Sequence, residues 1–236
     1  MSLILLIESS TEVCSVALSA SGKLMALKEN KEGLNHSELL GVYIRDILKE
    51  NNVSISQLDA VAVSKGPGSY TGLRIGVSIA KGLCYAAKKP LIAISTLDAM
   101  ADYTIHNPSE FGILLMHNSL ISPMIDARRM EVYTCLYDNK GSAIEPISAR
   151  IIDKDSYSSH IGKNQILFCG NGAFKCMDTI VHPNALFKGP EKASARFMIN
   201  LAEESFNNKA FVDVAYFEPY YLKDFVATIP KNKILK

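Results

Sequence analysis

A chain of 236 residues with 25 basic and 24 acidic side chains, net +1, can bury a sizeable core and lacks the strongly basic balance of a dedicated nucleic-acid binder. Its five cysteines form no CxxC pair and lie mostly in apolar runs, which suits reduced, buried thiols and argues against a disulfide framework. No basic leader precedes the first apolar run, and that run is too short to span a bilayer, so the expectation is a cytoplasmic protein, neither secreted nor inserted in a membrane.

Leu3–Ile7 is an unbroken apolar run, the pattern of a strand buried on both faces. It ends in Glu8-Ser9-Ser10-Thr11-Glu12, and Val13–Ser19 then partly alternates, as a paired strand does. Ser21-Gly22 makes a turn into a third strand, Lys23–Glu29. A carboxylate followed by hydroxyls in such a bend is able to hold a metal–phosphate group. The same hydroxyls would equally satisfy the backbone of a turn. Ser37–Asn51 reads as a helix with two apolar rows, Leu39, Tyr43, Ile47 and Leu40, Ile44, Leu48. His36 stands at its start and suits a helix-start hydrogen bond better than a catalytic base.

Ala60–Val63 is the next strand, followed by a glycine-rich turn and a helix over Leu73–Ala87. Gly66, Gly68 and Gly72 permit positive φ or close backbone approach, and Ser69 or Thr71 can cap the helix. Backbone amides at such a start suit a phosphate, although a tight turn that binds nothing has the same composition. The helix is apolar nearly all round, with Gly76, Ala80 and Ala87 small enough for close helix approach. A helix of that kind needs cover on more than one side, and a partner subunit is the expected outer cover. Leu91–Ile94 is a further strand leading into another helix.

Residues 104–111 are rich in breakers and mark the expected boundary between a lobe of residues 1–103 and one of residues 104–236. Ile121–Asp126 then ends in an acid, Glu131–Tyr137 pairs back, and Asn139-Lys140-Gly141 turns into Ser142–Ile147. This echoes Glu8 and its hairpin and suggests a distant duplication. Beyond it the pattern thins to a helix over Asp153–Ile161, a strand over Gln165–Cys169 and a helix over Ser194–Asn207. Gly170-Asn171-Gly172 either approaches a nucleotide or makes a plain turn, the simpler reading. No two histidines share ligand spacing on a predicted helix.

Lys65–Leu83, KGPGSYTGLRIGVSIAKGL, closely resembles the signature of the TsaB (YeaZ) family. Ile7–Thr11 looks like the first phosphate loop of the actin-like, sugar-kinase and heat-shock-ATPase fold. Asp126–Tyr133 and Glu218–Leu222 match two further stretches of the TsaB family. The resemblance implies an α/β, two-lobed actin-like ATPase (ribonuclease H-like) fold with a reduced second lobe, helix 194–207 packing back on the first. It also implies a non-catalytic partner of the TsaD-like subunit that makes threonylcarbamoyladenosine on tRNA, with a TsaE-like ATPase in the complex. Such proteins pair with TsaD, or with themselves when alone, and meet tRNA only indirectly. The partner-binding residues so implied are Leu39, Tyr43, Ile47, Gly72, Arg74, Ile75, Ile79 and Leu83. A nucleotide, if bound, would meet Glu8, Ser9, Ser10, Thr11, Gly66, Gly68, Gly170 and Gly172.

TsaD-like chains carry two His four residues apart on one helix face, ready to share a metal. Thr96 and Met100 stand at those positions here, so neither metal nor cofactor is expected, and no residue is assigned a catalytic role. Glu8 also replaces the Asp usual in TsaB sequences. The competing reading is an ATP-dependent enzyme of the same fold, an acetate- or sugar-kinase-type phosphotransferase or a TsaD-like transferase, using Glu8, Ser10 and the Gly66–Gly72 loop.

Overall fold

The computed structural model describes residues 2–31, 33 and 35–223. Its first lobe runs β1 (Leu3–Glu8), β2 (Cys14–Ala20), β3 (Lys23–Asn30), α1 (His36–Glu50), β4 (Ala60–Gly66), α2 (Tyr70–Ala87), β5 (Leu91–Ser95) and α3 (Thr96–His106). Ile4 to Ile7 are fully buried because β1 is the middle strand of a five-stranded sheet, order β3-β2-β1-β4-β5. β2 and β3 are antiparallel neighbours, whereas β4 and β5 run parallel to β1 and return through α2. The unbroken apolar run of β1 is what burial on both faces demands. The edge strand β3 leaves Leu24 and Met25 nearly half exposed.

The second lobe repeats the plan with β6 (Leu120–Asp126), β7 (Glu131–Asp138), β8 (Ala143–Ile151), α4 (Ser158–Ile161), β9 (Ile166–Cys169), β10 (Ala185–Phe187) and α5 (Ile199–Asn207). Its sheet order is β8-β7-β6-β9-β10, with the same pattern of parallel and antiparallel neighbours. Two copies of one ribonuclease H-like arrangement make the two-lobed actin-like fold. Glu8 ends the first strand of one copy and Asp126 the first strand of the other. The helices shrink in the second copy. α4 replaces α1, a single 3₁₀ turn at Phe174–Cys176 replaces α2, and α5 replaces α3.

Four elements differ from expectation. The helix over Asp153–Ile161 is reduced to its last four residues. The Asp153 carboxylate instead accepts from the Asp155 amide and the Ser156 hydroxyl, and Tyr157 takes a left-handed φ of 69°, which closes a turn. The helix over Ser194–Asn207 opens as a 3₁₀ turn, Ala195–Met198, before α5. β8 continues to Ile151, and β10 carries no strand signal of its own. Residues 224–236 of the expected second lobe lie outside the described residues.

The closing helix of each copy packs across to the other sheet. α3 lies on β6 and β7, and α5 lies on β1 and β5. One apolar cluster therefore joins Ile4 and Leu6 to Met100, Ile121, Ile125, Leu167, Phe197 and Ala202. The Tyr137 hydroxyl donates to Asp98 at 2.5 Å across the same junction, and burial beside that carboxylate holds it protonated. After α5 the chain returns as a strap. Val212 N donates to Leu91 O at the free edge of β5, and Tyr220 N donates to Lys65 O. Lys223 of the strap forms an ion pair with Glu131 of β7. Among the described residues no helix is long and apolar enough to cross a membrane.

Candidate partner face and the glycine signature

The bend between β1 and β2 is plugged into the start of α2. Ser69 N donates to Ser10 O at 2.6 Å, and the Ser9 hydroxyl donates to Gly72 O at 2.8 Å. The Ser69 hydroxyl caps α2 by accepting from Gly72 N, and Leu73 N donates to Ser69 O. His36 Nε2 donates to Thr11 O at 2.7 Å, which ties α1 to the same bend. A Cβ at Gly68 would lie 2.2 Å from Ser10 O, and one at Gly72 would lie 2.0 Å from Ser9 O. The glycines are there for close packing.

Glu8, Ser9, Ser10, Thr11, Gly66 and Gly68, the residues offered to a nucleotide, line this plug. The four polar residues are at most 5% exposed, and the amides of Ser69 and Gly72 donate to the chain's own oxygens. Gly66, at φ 102°, has Leu73 and Tyr220 O 3.0 Å from its missing side chain. Gly170 and Gly172 are spoken for in the same way. A Cβ at Gly170 would meet Met124 O at 2.2 Å, and Gly172 N donates to that same oxygen. Between them Asn171 accepts from Asp126 N and donates to Glu12, binding lobe to lobe. The geometry is that of a locking turn.

The Glu8 carboxylate accepts from Ser10 N at 2.6 Å inside this plug. Burial pushes its carboxyl above the ordinary range, and hydrogen bonds from Ser10 only partly oppose that. A folded-state value above the unfolded one means that the stabilising protonation is complete below the unfolded value of 4.5 and is lost as pH rises through the folded value. Glu8→Gln keeps the acceptor and removes the charge. It is expected to raise the melting temperature at neutral pH and flatten its fall with pH above 4.5, read by calorimetry across pH 4–8. A variant that melts lower at neutral pH and keeps the wild-type pH slope contradicts this account.

Thr96 and Met100 are 0% and 1% exposed in the core of α3, so the positions of the missing His pair are filled by packing. Among the described residues no group of three or more His, Cys, Asp or Glu is placed to hold a metal. All five cysteines are buried, and burial pushes the thiols up, to about 11 for Cys14 and Cys84 and about 12 for Cys169. None is poised as a nucleophile.

α1 and α2 lie side by side over the first sheet. Leu40, Ile44, Ile47 and Leu48 face it from α1, and Leu73, Gly76, Val77, Ala80 and Cys84 face it from α2. Of the residues offered to a partner, Ile47 is fully buried in the protomer and Gly72 is pressed on Ser9 and His36. Ile47 follows Ile44 by three residues and shares its inward side, which the spacing of four from Tyr43 had hidden. Gly76 and Ala80 also face inward, and so are not free for helix approach from outside. Leu39, Tyr43, Ile75, Ile79 and Leu83 remain half-buried along the two helices.

The third side of α2 is covered by the chain itself. Val212, Val214 and Phe217 of the strap join its apolar cluster, and Lys81 Nζ donates to Ala215 O and Phe217 O at 3.0 Å. The exposed Arg74 stacks 4.3 Å over Tyr70 and bonds Tyr221. The strap thus supplies part of the cover expected from a partner, a role no local pattern in residues 211–223 announces. What is left outward on α2 is a strip holding Thr71, Arg74, Ser78, Gly82, Tyr85 and Ala86, with Ile75 and Ile79 beside it. Tyr85, 83% exposed, was missing from the sequence-derived set, although helical spacing from Ser78 places it there.

A family model described as "TsaD: tRNA N6-adenosine threonylcarbamoyltransferase" matches residues 31–236. The chain is 28% identical to the tRNA threonylcarbamoyladenosine biosynthesis protein TsaB of Haemophilus influenzae, over 94% of this chain and 93% of that one. It is 36% identical to TsaB of Escherichia coli over 60% of this chain and 57% of the other. In structure it is similar to a Pseudomonas aeruginosa protein described as having similarity to peptidase YEAZ, with a TM-score of 0.80, 26% identity, and 94% of this chain and 100% of that one covered. With this likeness along nearly its whole length, and with the glycine signature seated between two ribonuclease H-like copies, the chain belongs to the TsaB (YeaZ) family.

Proposed function

We propose that this chain is the non-catalytic partner subunit in making N6-threonylcarbamoyladenosine on tRNA, pairing with a TsaD-like catalytic subunit through the outward side of α1 and α2. The observation that carries this is the pairing of a filled phosphate bend with an apolar helix face left half-buried. Ser10 O and the Ser69 hydroxyl accept from amides at the start of α2, while Leu39, Tyr43, Ile75, Ile79 and Leu83 stop short of burial in the protomer. Half-buried apolar side chains on neighbouring helices gain about 25 cal/mol per Å² when a partner covers them, before association costs. In this reading the same face pairs with a second copy when the transferase is absent, a TsaE-like ATPase joins the assembled pair, and tRNA is held by the catalytic subunit.

The ATP-dependent enzyme reading lacks support at its own residues. Glu8 and Ser10 are buried, and Thr96 and Met100 offer no imidazole. The test is reconstitution with the TsaD-like subunit of the same organism, scoring transfer of the threonylcarbamoyl group from its adenylate to tRNA. Transfer is expected to need both chains, and the isolated chain is expected to turn over nothing. A turnover by the isolated chain that saturates with ATP and is lost in Glu8→Ala would reverse the assignment.

A further inference from the structure

Two consecutive residues in the turn between β6 and β7, Arg128 and Arg129, hold left-handed φ angles of 74° and 51°. A Cβ makes that region costly, and glycine or asparagine is the residue that turns of this kind favour. The other non-glycine residues of positive φ among the described ones, such as Ser21, Asn52 and Lys88, stand singly. Both arginines are exposed. The turn beneath them is closed by backbone, with Ala127 N donating to Glu131 O and Glu131 N to Arg128 O, and Arg128 N donates to the Asp126 carboxylate. The strain therefore serves no burial, and it serves no ion pair. Of the six arginines in the chain, Arg45, Arg150 and Arg196 pair with Asp46, Glu145 and Glu110, and Arg74 stacks on Tyr70. Among the described residues the guanidinium groups of Arg128 and Arg129 have no partner. The carboxylates at the base of the turn are already neutralised, Asp126 by Lys175 and Glu131 by Lys223.

We infer that Arg128 and Arg129 grip the phosphate backbone of the tRNA substrate, the strained turn holding two unpaired guanidinium groups out to solvent. A guanidinium meets a phosphate through two parallel N–H···O bonds and reads no base in doing so. The inference rests on the partner reading above and adds one contact to it. The catalytic subunit still holds the tRNA, and this chain touches its backbone directly, where the resemblance implied only an indirect meeting. RNA is the anion because, in that reading, the assembled pair already carries a tRNA. The turn belongs to the sheet of the second lobe, whereas α1 and α2 cover that of the first. A net charge of +1 gives the chain no broad basic field, so the contact is local and confined to this turn.

The test uses the full chain assembled with the TsaD-like subunit and the tRNA of the same organism. Arg128→Gly combined with Arg129→Gly relaxes the backbone and removes both charges, so stability and binding should part. The melting temperature of the chain should rise by about 2 °C. Binding of tRNA to the assembled pair should weaken roughly tenfold near 0.15 M salt, and the slope of log K against log salt should flatten by about 1.5, the share of two phosphate contacts. Lys140→Gln is the control, since it removes an exposed cation just past the other end of β7 and should leave affinity and slope unchanged. Wild-type affinity and slope in the double glycine variant overturn the inference, and so does an equal loss in Lys140→Gln. A double glycine variant that melts lower contradicts the strain on which the inference stands. If that variant keeps its tRNA and instead loses the TsaD-like subunit or a TsaE-like ATPase, the turn meets an acidic protein surface and RNA is the wrong occupant. Sedimentation of the two wild-type subunits without RNA separates the two levels. No complex there removes the partner reading, whereas an intact complex whose tRNA binding ignores the turn removes only this contact.

Discussion

Ile79→Glu is expected to remain folded and lose its partner. Ile79 is half-buried in the protomer, so a glutamate there can turn its carboxylate to water until a second surface closes over it. Closure then forfeits the isoleucine's buried area and desolvates an unpaired charge, together about 3 kcal/mol or more, which is roughly a hundredfold in Kd. Circular dichroism and sedimentation of the variant with and without the TsaD-like subunit measure both halves of the expectation. Unchanged association by a well-folded Ile79→Glu protein would take the face out of consideration. An unfolded variant would instead place Ile79 in the interior, contrary to its half exposure.

Gly72→Ala should damage the fold itself. Its Cβ would stand 2.0 Å from Ser9 O and 3.0 Å from the His36 ring, and the Ser9 oxygen is backbone that cannot swing aside. Either the bend withdraws from α2, breaking the Ser69 N to Ser10 O bond, or the first turn of α2 shifts off β4. Both lose packing at the middle of the lobe. We expect a loss of about 3 kcal/mol, seen as a fall in melting temperature of roughly 6–12 °C for a domain of this size. The same substitution further along the helix, at Gly82, should move the temperature the other way. A Gly72→Ala protein melting within about a degree of wild type, well inside the expected shift, would show that the bend is not held as described.

The elements of the first lobe were legible because each carries its own local signal. β1 is apolar without interruption, α1 has its rows, and Gly66, Gly68 and Gly72 punctuate a strand-to-helix turn. In the second copy the hairpin, where Asp126 repeats the place of Glu8, the strand β9 and the body of α5 were legible. The counterparts of α1 and α2 had shrunk to single turns, and a single turn has no period to detect. The glycine signature reads as a point of close approach, and Gly68 and Gly72 make one. Composition cannot tell which atoms fill the space beside a glycine, and here they belong to Ser9 and Ser10, far earlier in the chain. The inward position of Ile47 and Gly72 was hidden for a related reason, since a row of apolar residues does not say which of its members faces the sheet. The strap was invisible as cover because its bonds to Lys81, Lys65 and Leu91 are contacts of the fold.

The crossing of α5 onto β1 has a consequence for how the protein is made. The Ser2 hydroxyl bonds Glu203, and Ala202 and Phe197 share a cluster with Ile4 and Leu6, so β1 is covered by a segment made long after it. At ribosomal rates of about 5–20 residues per second, one face of the nascent first sheet waits roughly 6–22 s for its cover. During that time its apolar strands are open to chaperones and to neighbouring chains. The first lobe, complete in its own strand order, therefore keeps part of its sheet open until α5 has been made.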